Sequence, residues 1–331
     1  MLPDLSSFER ARERLAGHVL RTQMLRLRAG VVEAGVPGVA RGIPEAPVLD
    51  ARLRRDLLLK LECLQVSGSF KARGALNKVL SLPRETAKRG IVTASGGNHG
   101  LAVAYAGRAI DAPTTVFLPG RTSAAKAARI ERWGAKVMRA GDVWDDAHAA
   151  ALEHAAREGT TYVHPFADPD VVAGAGTIAL EVLEAAPETD AFVVAIGGGG
   201  LASGVAAAAK RRRPDIRIIG VEPVGAPTLH ESVRANAVVE LAKIETAAGT
   251  LAPRRSDAYN LAIIREHVDA IVLVTDDEMR SAARFLLEEI GIGAELSGAA
   301  AVAAVLGGKA DLGAAKAPCA LVCGAGSDAL P

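Results

Sequence analysis

Three stretches of the chain join side chains that can do chemistry to glycines that leave the backbone open. The first is Ser67-Gly68-Ser69-Phe70-Lys71-Ala72-Arg73-Gly74, which follows the apolar run Leu57–Leu61. A lysine placed after small residues and one aromatic, at the start of a helix, can be desolvated and reach into a cleft. Desolvation and the positive end of a helix both lower an amine pKa, as a lysine that condenses with a carbonyl group needs. A lone lysine in such a place is otherwise an ordinary surface residue. The second stretch is Ser95-Gly96-Gly97-Asn98-His99-Gly100, where a strand runs into an apolar helix. Its open N–H groups and one amide side chain suit a carboxylate or a phenolate oxygen. The third is Gly197-Gly198-Gly199-Gly200 between the strand Ala191–Ile196 and an Ala-rich helix. Free N–H groups beside a helix N-terminus suit a phosphate. The same glycines also fit a plain strand-to-helix turn, or a dinucleotide fingerprint in which Gly198, Gly200 and Ser203 are completed by Glu222 as a ribose-binding acid.

The elements that must hold these stretches show in the apolar pattern. β-rich runs occur at Leu57–Leu61, Gly90–Ser95, Thr114–Leu118, Lys136–Arg139, Thr161–Val163, Ala191–Ile196, Ile216–Glu222, Ala270–Thr275 and Ala320–Cys323. Segments of helical period lie between them, such as Ala124–Trp133, Trp144–Glu158 and Asp276–Ile290, with Asp145, Asp276 and Asp277 where helix-starting acids belong. Regular alternation predicts parallel sheets flanked by helices. Lys210–Arg213 closes a helix before Pro214, His164–Pro169 reads as a crossover between sheets, and Arg28–Ala51 reads as a long loop or insertion.

Composition bounds what remains. Of 331 residues half are apolar, only 3% are aromatic, 34 are glycine and the net charge is +1. That balance gives no field for nucleic acid or an anionic membrane. No apolar run reaches membrane-spanning length and Met1–Arg14 carries no signal-peptide core, so a cytoplasmic protein is expected. Cys63, Cys319 and Cys323 make neither a disulfide framework nor a zinc spacing.

Lys60–Asn77, Ser95–Ala104, Gly197–Gly204 and Cys323–Gly326, in this order and spacing, resemble the threonine/serine dehydratase family of pyridoxal-phosphate enzymes, which have the tryptophan-synthase-β-like fold, fold type II. His164–Thr177, Val221-Glu222-Pro223 and Ala294–Leu306 agree in order, so the likeness runs from about residue 52 to the end. It implies two domains, each with a mostly parallel sheet flanked by helices: residues 1–82 and 168–331 as the large one, 83–167 as the small one. It implies pyridoxal 5'-phosphate joined to Lys71, with Phe70 near its ring and Asn98 bonded to its ring oxygen. Gly197, Gly198, Gly199, Gly200 and Leu201 would cradle the phosphate. Ser95, Gly96, Gly97, Asn98 and His99 would hold the substrate carboxylate, and Cys323 stands where the family usually has a serine facing the pyridine nitrogen.

The implied reaction is β-elimination from a β-hydroxy amino acid, such as L-threonine or L-serine, to a 2-oxo acid and ammonia, by a homodimer or homotetramer. Alternatives on the same fold are a dehydratase of hydroxyaspartate or aryl-serines, a serine racemase or a β-replacement synthase. A nicotinamide-binding or non-catalytic α/β protein is the alternative of another class. Several positions depart from the pattern. The family's cation site pairs an acid like Glu222 with another six residues on, where this chain has Thr228, so a divalent-cation site is incomplete. Thr22-Gln23-Met24 replaces Thr-Pro-Leu, Ala247-Ala248-Gly249 replaces Ala-Asp-Gly, and Arg254 and Arg255 follow. Gly120–Ala124 is the candidate source of a hydroxyl on the opposite cofactor face, and Glu295 stands where the family has an acid near the cofactor.

Overall fold

A computed structural model describes residues 2–28 and 55–326, so the expected loop at 28–51 lies almost wholly outside the described residues. The chain opens with α1 (Leu5–Leu15), β1 (Met24–Leu27), β2 (Leu57–Lys60), α2 (Lys71–Ser81) and α3 (Arg84–Lys88). It continues through β3 (Ile91–Ala94), α4 (Asn98–Ala109), β4 (Thr114–Leu118), α5 (Ala124–Glu131), β5 (Lys136–Arg139), α6 (Trp144–Glu158) and β6 (Thr161–Tyr162). Then come α7 (Pro169–Ala185), β7 (Ala191–Ala195), α8 (Gly200–Arg212), β8 (Arg217–Pro223), α9 (Thr228–Ala235) and α10 (Ala258–His267). The last elements are β9 (Ala270–Val274), α11 (Asp276–Ile290), α12 (Leu296–Leu306) and β10 (Pro318–Leu321).

Two sheets result, a six-stranded one in the order β1-β2-β10-β7-β8-β9 and a four-stranded one in the order β5-β4-β3-β6. Every pairing is parallel except β1 against β2. The nine strands read from sequence are all present, with ends shifted by a few residues. Strand β1 is the addition, a four-residue edge strand, Met24-Leu25-Arg26-Leu27, too short to stand out by itself. Residues 163–168 carry the chain from β6 of the small sheet to α7, the crossover expected there.

The scarcity of aromatics has a packing counterpart. Helices α2, α7 and α8 stack through glycine: a Cβ on Gly174 would lie 2.5 Å from the Arg73 carbonyl oxygen, and one on Gly204 would lie 2.7 Å from the Gly176 nitrogen. Such close backbone approach leaves no room for rings. Helix α12, whose buried surface carries no aromatic and is mostly Ala, packs against β7, β8, β9 and β10. Parallel strands end on one edge, so β2, β10 and β7 deliver Leu61, Cys323 and Gly197 to the same side of the large sheet.

A buried ion cluster clamps α2 to this sheet. The Arg73 guanidinium donates to both Glu62 oxygens at 2.8 and 2.9 Å and to both Glu181 oxygens at 2.7 and 2.9 Å. Lys60 donates to Glu181 at 2.7 Å and to the Thr22 carbonyl at 2.8 Å, and the Thr22 hydroxyl donates to Glu62. Two cations face two carboxylates, so charge balances where water does not reach.

Candidate active site

Lys71 is the first residue of α2, and β10 sets its position. The Phe70 N–H donates to the Cys323 carbonyl at 3.1 Å, the Ala325 N–H donates to the Gly68 carbonyl at 2.8 Å, and Ser69 pairs with Gly324 in an isolated antiparallel bridge. The segment before the lysine is therefore stitched to the end of a central strand. The approach needs a left-handed backbone at Ser67, with φ of 63°, and at Gly68, with φ of 85°. The Lys71 Nζ donates to the Pro165 carbonyl at 2.6 Å and lies 5.1 Å from the Phe70 ring centroid. Burial lowers its pKa to about 8, against the opposing pull of Cys323 and Glu295.

Around this amine the structure gathers most of the expected residues. The Asn98 amide, at the start of α4, donates to Glu295 at 2.7 Å, and the Thr250 hydroxyl donates to the same oxygen at 3.2 Å. Gly324 lies against that pair, since a Cβ there would meet Glu295 at 2.4 Å and the Asn98 amide nitrogen at 3.1 Å. The Cys323 thiol is buried, reaches the Ser297 carbonyl at 3.5 Å, and is held protonated by burial, reinforced by the Glu295 charge. His99 contributes its ring to the interior: Nε2 meets the Val163 carbonyl at 3.0 Å, and burial, aided by the Lys71 charge, lowers its pKa to about 3. The Ser95 hydroxyl accepts from the Gly97 N–H at 3.3 Å, which shapes the loop before α4. Of the Gly120–Ala124 stretch, Thr122 reaches this loop, 3.1 Å from a Cβ placed on Gly96, while Ser123 caps α5.

The tetraglycine loop is a close-fitted cradle. A Cβ on Gly198 would lie 2.3 Å from Phe166 Cδ1, and one on Gly200 would lie 2.9 Å from the Phe166 carbonyl oxygen. Gly199 caps α8 with φ of 96°, a conformation that disfavours any side chain. The Gly198 carbonyl is turned away from the loop's N–H groups by two donors, Ser256 at 2.9 Å and Asn260 at 3.0 Å. Leu201 is buried in the first turn of α8.

Comparison with known proteins decides which ligand these features serve. The model of the family described as "Pyridoxal-phosphate dependent enzyme" matches residues 43–324. The chain belongs to the pyridoxal-phosphate dependent enzymes. It is 39% identical to an L-threonine ammonia-lyase of Thermotoga maritima, over 76% of this chain and 63% of that protein. It is 38% identical to a phenylserine dehydratase of Ralstonia pickettii, over 82% of each. The structure of maize serine racemase superposes with a TM-score of 0.88 at 29% identity, covering 98% of this chain and 94% of that one. The fold is therefore fold type II.

The residues fit the family's cofactor on this structure's own evidence. Lys71 offers a desolvated amine, and the tetraglycine loop offers N–H groups in a cradle that a Cβ would fill. The expectation of a cation fares differently. Both Glu222 oxygens are taken, by the N–H groups of Leu229 at 2.8 Å and His230 at 2.7 Å, and the Thr228 hydroxyl donates to the Pro253 carbonyl at 2.7 Å. Glu222 thus caps α9 from inside the core. Among the described residues no three His, Cys, Asp or Glu side chains group so as to hold a metal ion, and these residues do not fit a divalent cation. The same capping denies Glu222 the ribose-binding part of a dinucleotide site. Arg254 is occupied outside, donating to the Leu241 carbonyl and pairing with Glu240, and Arg255 is exposed.

Sequence reading missed Pro165, Ser256, Asn260, Thr250 and Phe166 as parts of the site. Their one signal was order in the His164–Thr177 stretch, which holds Pro165 and Phe166. The others donate from a hydroxyl or an amide across more than forty residues of chain, and leave no local pattern.

Proposed function

We propose that this chain dehydrates and deaminates a β-hydroxy amino acid, such as L-threonine or L-serine, to a 2-oxo acid and ammonia. The observation that carries the reading is the Lys71 amine, its pKa lowered to about 8 by burial and its Nζ held on the Pro165 carbonyl, next to the residue whose ring packs on the tetraglycine loop. Pyridoxal phosphate, when bound, withdraws electrons from the substrate's α-carbon. Lys71, near neutral pH and able to trade a proton, removes the α-proton. The N–H groups of Gly197–Leu201 would hold the phosphate, those of Ser95–His99 would hold the substrate carboxylate, and Asn98 would orient the cofactor's ring oxygen. Phe70 would pack near the cofactor ring. Cys323, a buried thiol held protonated, would stand at the pyridine nitrogen, where a neutral partner leaves that nitrogen largely unprotonated and favours quick loss of the β-substituent.

Large and small domains at 1–82 with 168–331 and at 83–167 complete the proposal, the sheet of β3–β6 falling within the second. A homodimer or homotetramer in the cytoplasm is part of the same reading. Among the described residues no helix is long and apolar enough to cross a membrane. The purified protein is expected to be yellow, to fix the cofactor on Lys71 after borohydride, and to release 2-oxo acid from hydroxy amino acids. Lys71→Ala should abolish all three. A colourless wild type that takes up no pyridoxal phosphate refutes the reading, and racemisation outpacing elimination replaces it with a racemase.

A further inference from the structure

The chain holds only two tryptophans, three tyrosines and six phenylalanines. Three of them join two histidines in one continuous string. Trp144 stacks on His148 with ring centroids 4.7 Å apart and planes 10° from parallel. His148 meets Tyr162 edge-on at 5.3 Å and His164 at 6.5 Å, and His164 meets Phe166 edge-on at 4.7 Å. Trp144 is 41% exposed and the rest are half-buried; of the five only Tyr162 packs against a core cluster, that of the small sheet. In a molecule whose helices pack through Ala and Gly, so many partly open rings in one place exceed what packing requires.

The string also has defined ends. At one end the Trp144 indole N–H donates to the Ala94 carbonyl at 2.9 Å, next to the Ser95–His99 loop. At the other the Phe166 ring lies against Gly198 of the tetraglycine loop. Between them Pro165 takes the Lys71 ammonium. A ligand anchored by both loops and by Lys71 therefore lies along these rings. The imidazoles are turned away from the charged form: His164 Nδ1 accepts from the N–H groups of Phe166 and Ala167 at 3.2 and 2.8 Å, His148 Nδ1 pairs with the Tyr162 hydroxyl at 2.8 Å, and burial lowers the pKa of both rings. Ring faces without a cation suit an aryl group and offer no ion pair to a carboxylate.

We infer that Trp144, His148, Tyr162, His164 and Phe166 form the wall that takes the substrate's β-substituent, and that the substituent they select is aryl. The inference rests on the β-elimination reading and narrows it to a β-aryl-β-hydroxy amino acid. The test uses the holoenzyme with L-threo-3-phenylserine and L-threonine, following 2-oxo acid. The kcat/KM for phenylserine is expected to exceed that for threonine at least tenfold. Trp144→Ala and His148→Ala should each cut that ratio about tenfold, chiefly through KM, while Trp144→Phe keeps most of it. A second readout needs no turnover: L-phenylalanine, which lacks a leaving group, should perturb the cofactor's absorbance at far lower concentration than L-alanine, and lose that advantage in Trp144→Ala. Threonine preferred over phenylserine, or a ratio unmoved by either alanine variant, overturns the wall and leaves the elimination intact. No 2-oxo acid from either substrate overturns the elimination itself and the inference with it.

Discussion

The Lys71 Nζ sits 2.6 Å from the Pro165 carbonyl oxygen, across 94 residues of chain. This bond joins the helix that carries the reactive amine to the crossover that leaves the small sheet. The next residue, Phe166, packs its ring against Gly198 of the tetraglycine loop.

The low pKa of Lys71 sets how the apo-protein takes up its cofactor. The neutral amine is the nucleophile, and burial brings its pKa from 10.5 to about 8. The rate of uptake of pyridoxal phosphate should rise with pH and level off above about 8, followed by absorbance. A rate still climbing tenfold per pH unit near pH 10 contradicts this.

Gly198→Ala puts a methyl where the Phe166 ring now lies. The ring must shift and the cradle must widen. The dissociation constant for pyridoxal phosphate should rise about tenfold, or about 1.4 kcal/mol. Equilibrium titration of the apo-protein measures it, and thermal unfolding of the apo-protein should change little.

Arg73→Met strips the guanidinium from two buried carboxylates. Burial pushes the Glu62 pKa up, but the Arg73 charge and hydrogen bonds, with the Lys60 charge and the Thr22 hydroxyl, together hold it below the usual carboxylate value. Removing one partner of such a pair costs about 3–5 kcal/mol. Urea unfolding should show that loss, and because the cluster holds α2, the variant should also retain its cofactor less firmly on dialysis.

Glu222 gives the fold a pH dependence of its own. Burial raises its pKa from 4.5 to about 8, in spite of two N–H donors that favour the charged form. The folded state therefore binds more protons than the unfolded chain across that window. Its contribution to stability is complete below about pH 4.5 and is lost as pH rises through about 8. Glu222→Gln should flatten the fall in melting temperature between pH 6 and 9. An unchanged slope would mean that the carboxyl ionises in place without cost.

Much of the site was legible because its parts are local. A glycine run after a strand offers N–H groups wherever the chain goes, so Gly96–Gly100 and Gly197–Gly200 could be read as anion sites from order alone. Lys71 at the start of a helix was legible for the same reason. Nine strands and the main helices followed from apolar periodicity, since each buries a face whose spacing is fixed by its own geometry. Strand β1 was missed because four residues are too few to show a period, and its antiparallel pairing with β2 completes it.

The sequence by itself determined the parallel α/β pattern, the glycine-rich helix starts and the lysine among small residues, because backbone geometry and residue type act within a few positions. Only the tertiary structure decided what meets what. The pairing of β10 beside β2 puts Cys323 behind Phe70, and Asn98 meets Glu295 from another helix's start. Glu222, legible as a ligand or a ribose acid, becomes a helix cap because α9 folds back over it. Five rings scattered over 144–166 become one surface only when α6 lies beside the crossover. Contacts between distant segments are set by packing and burial, which no short stretch of sequence contains.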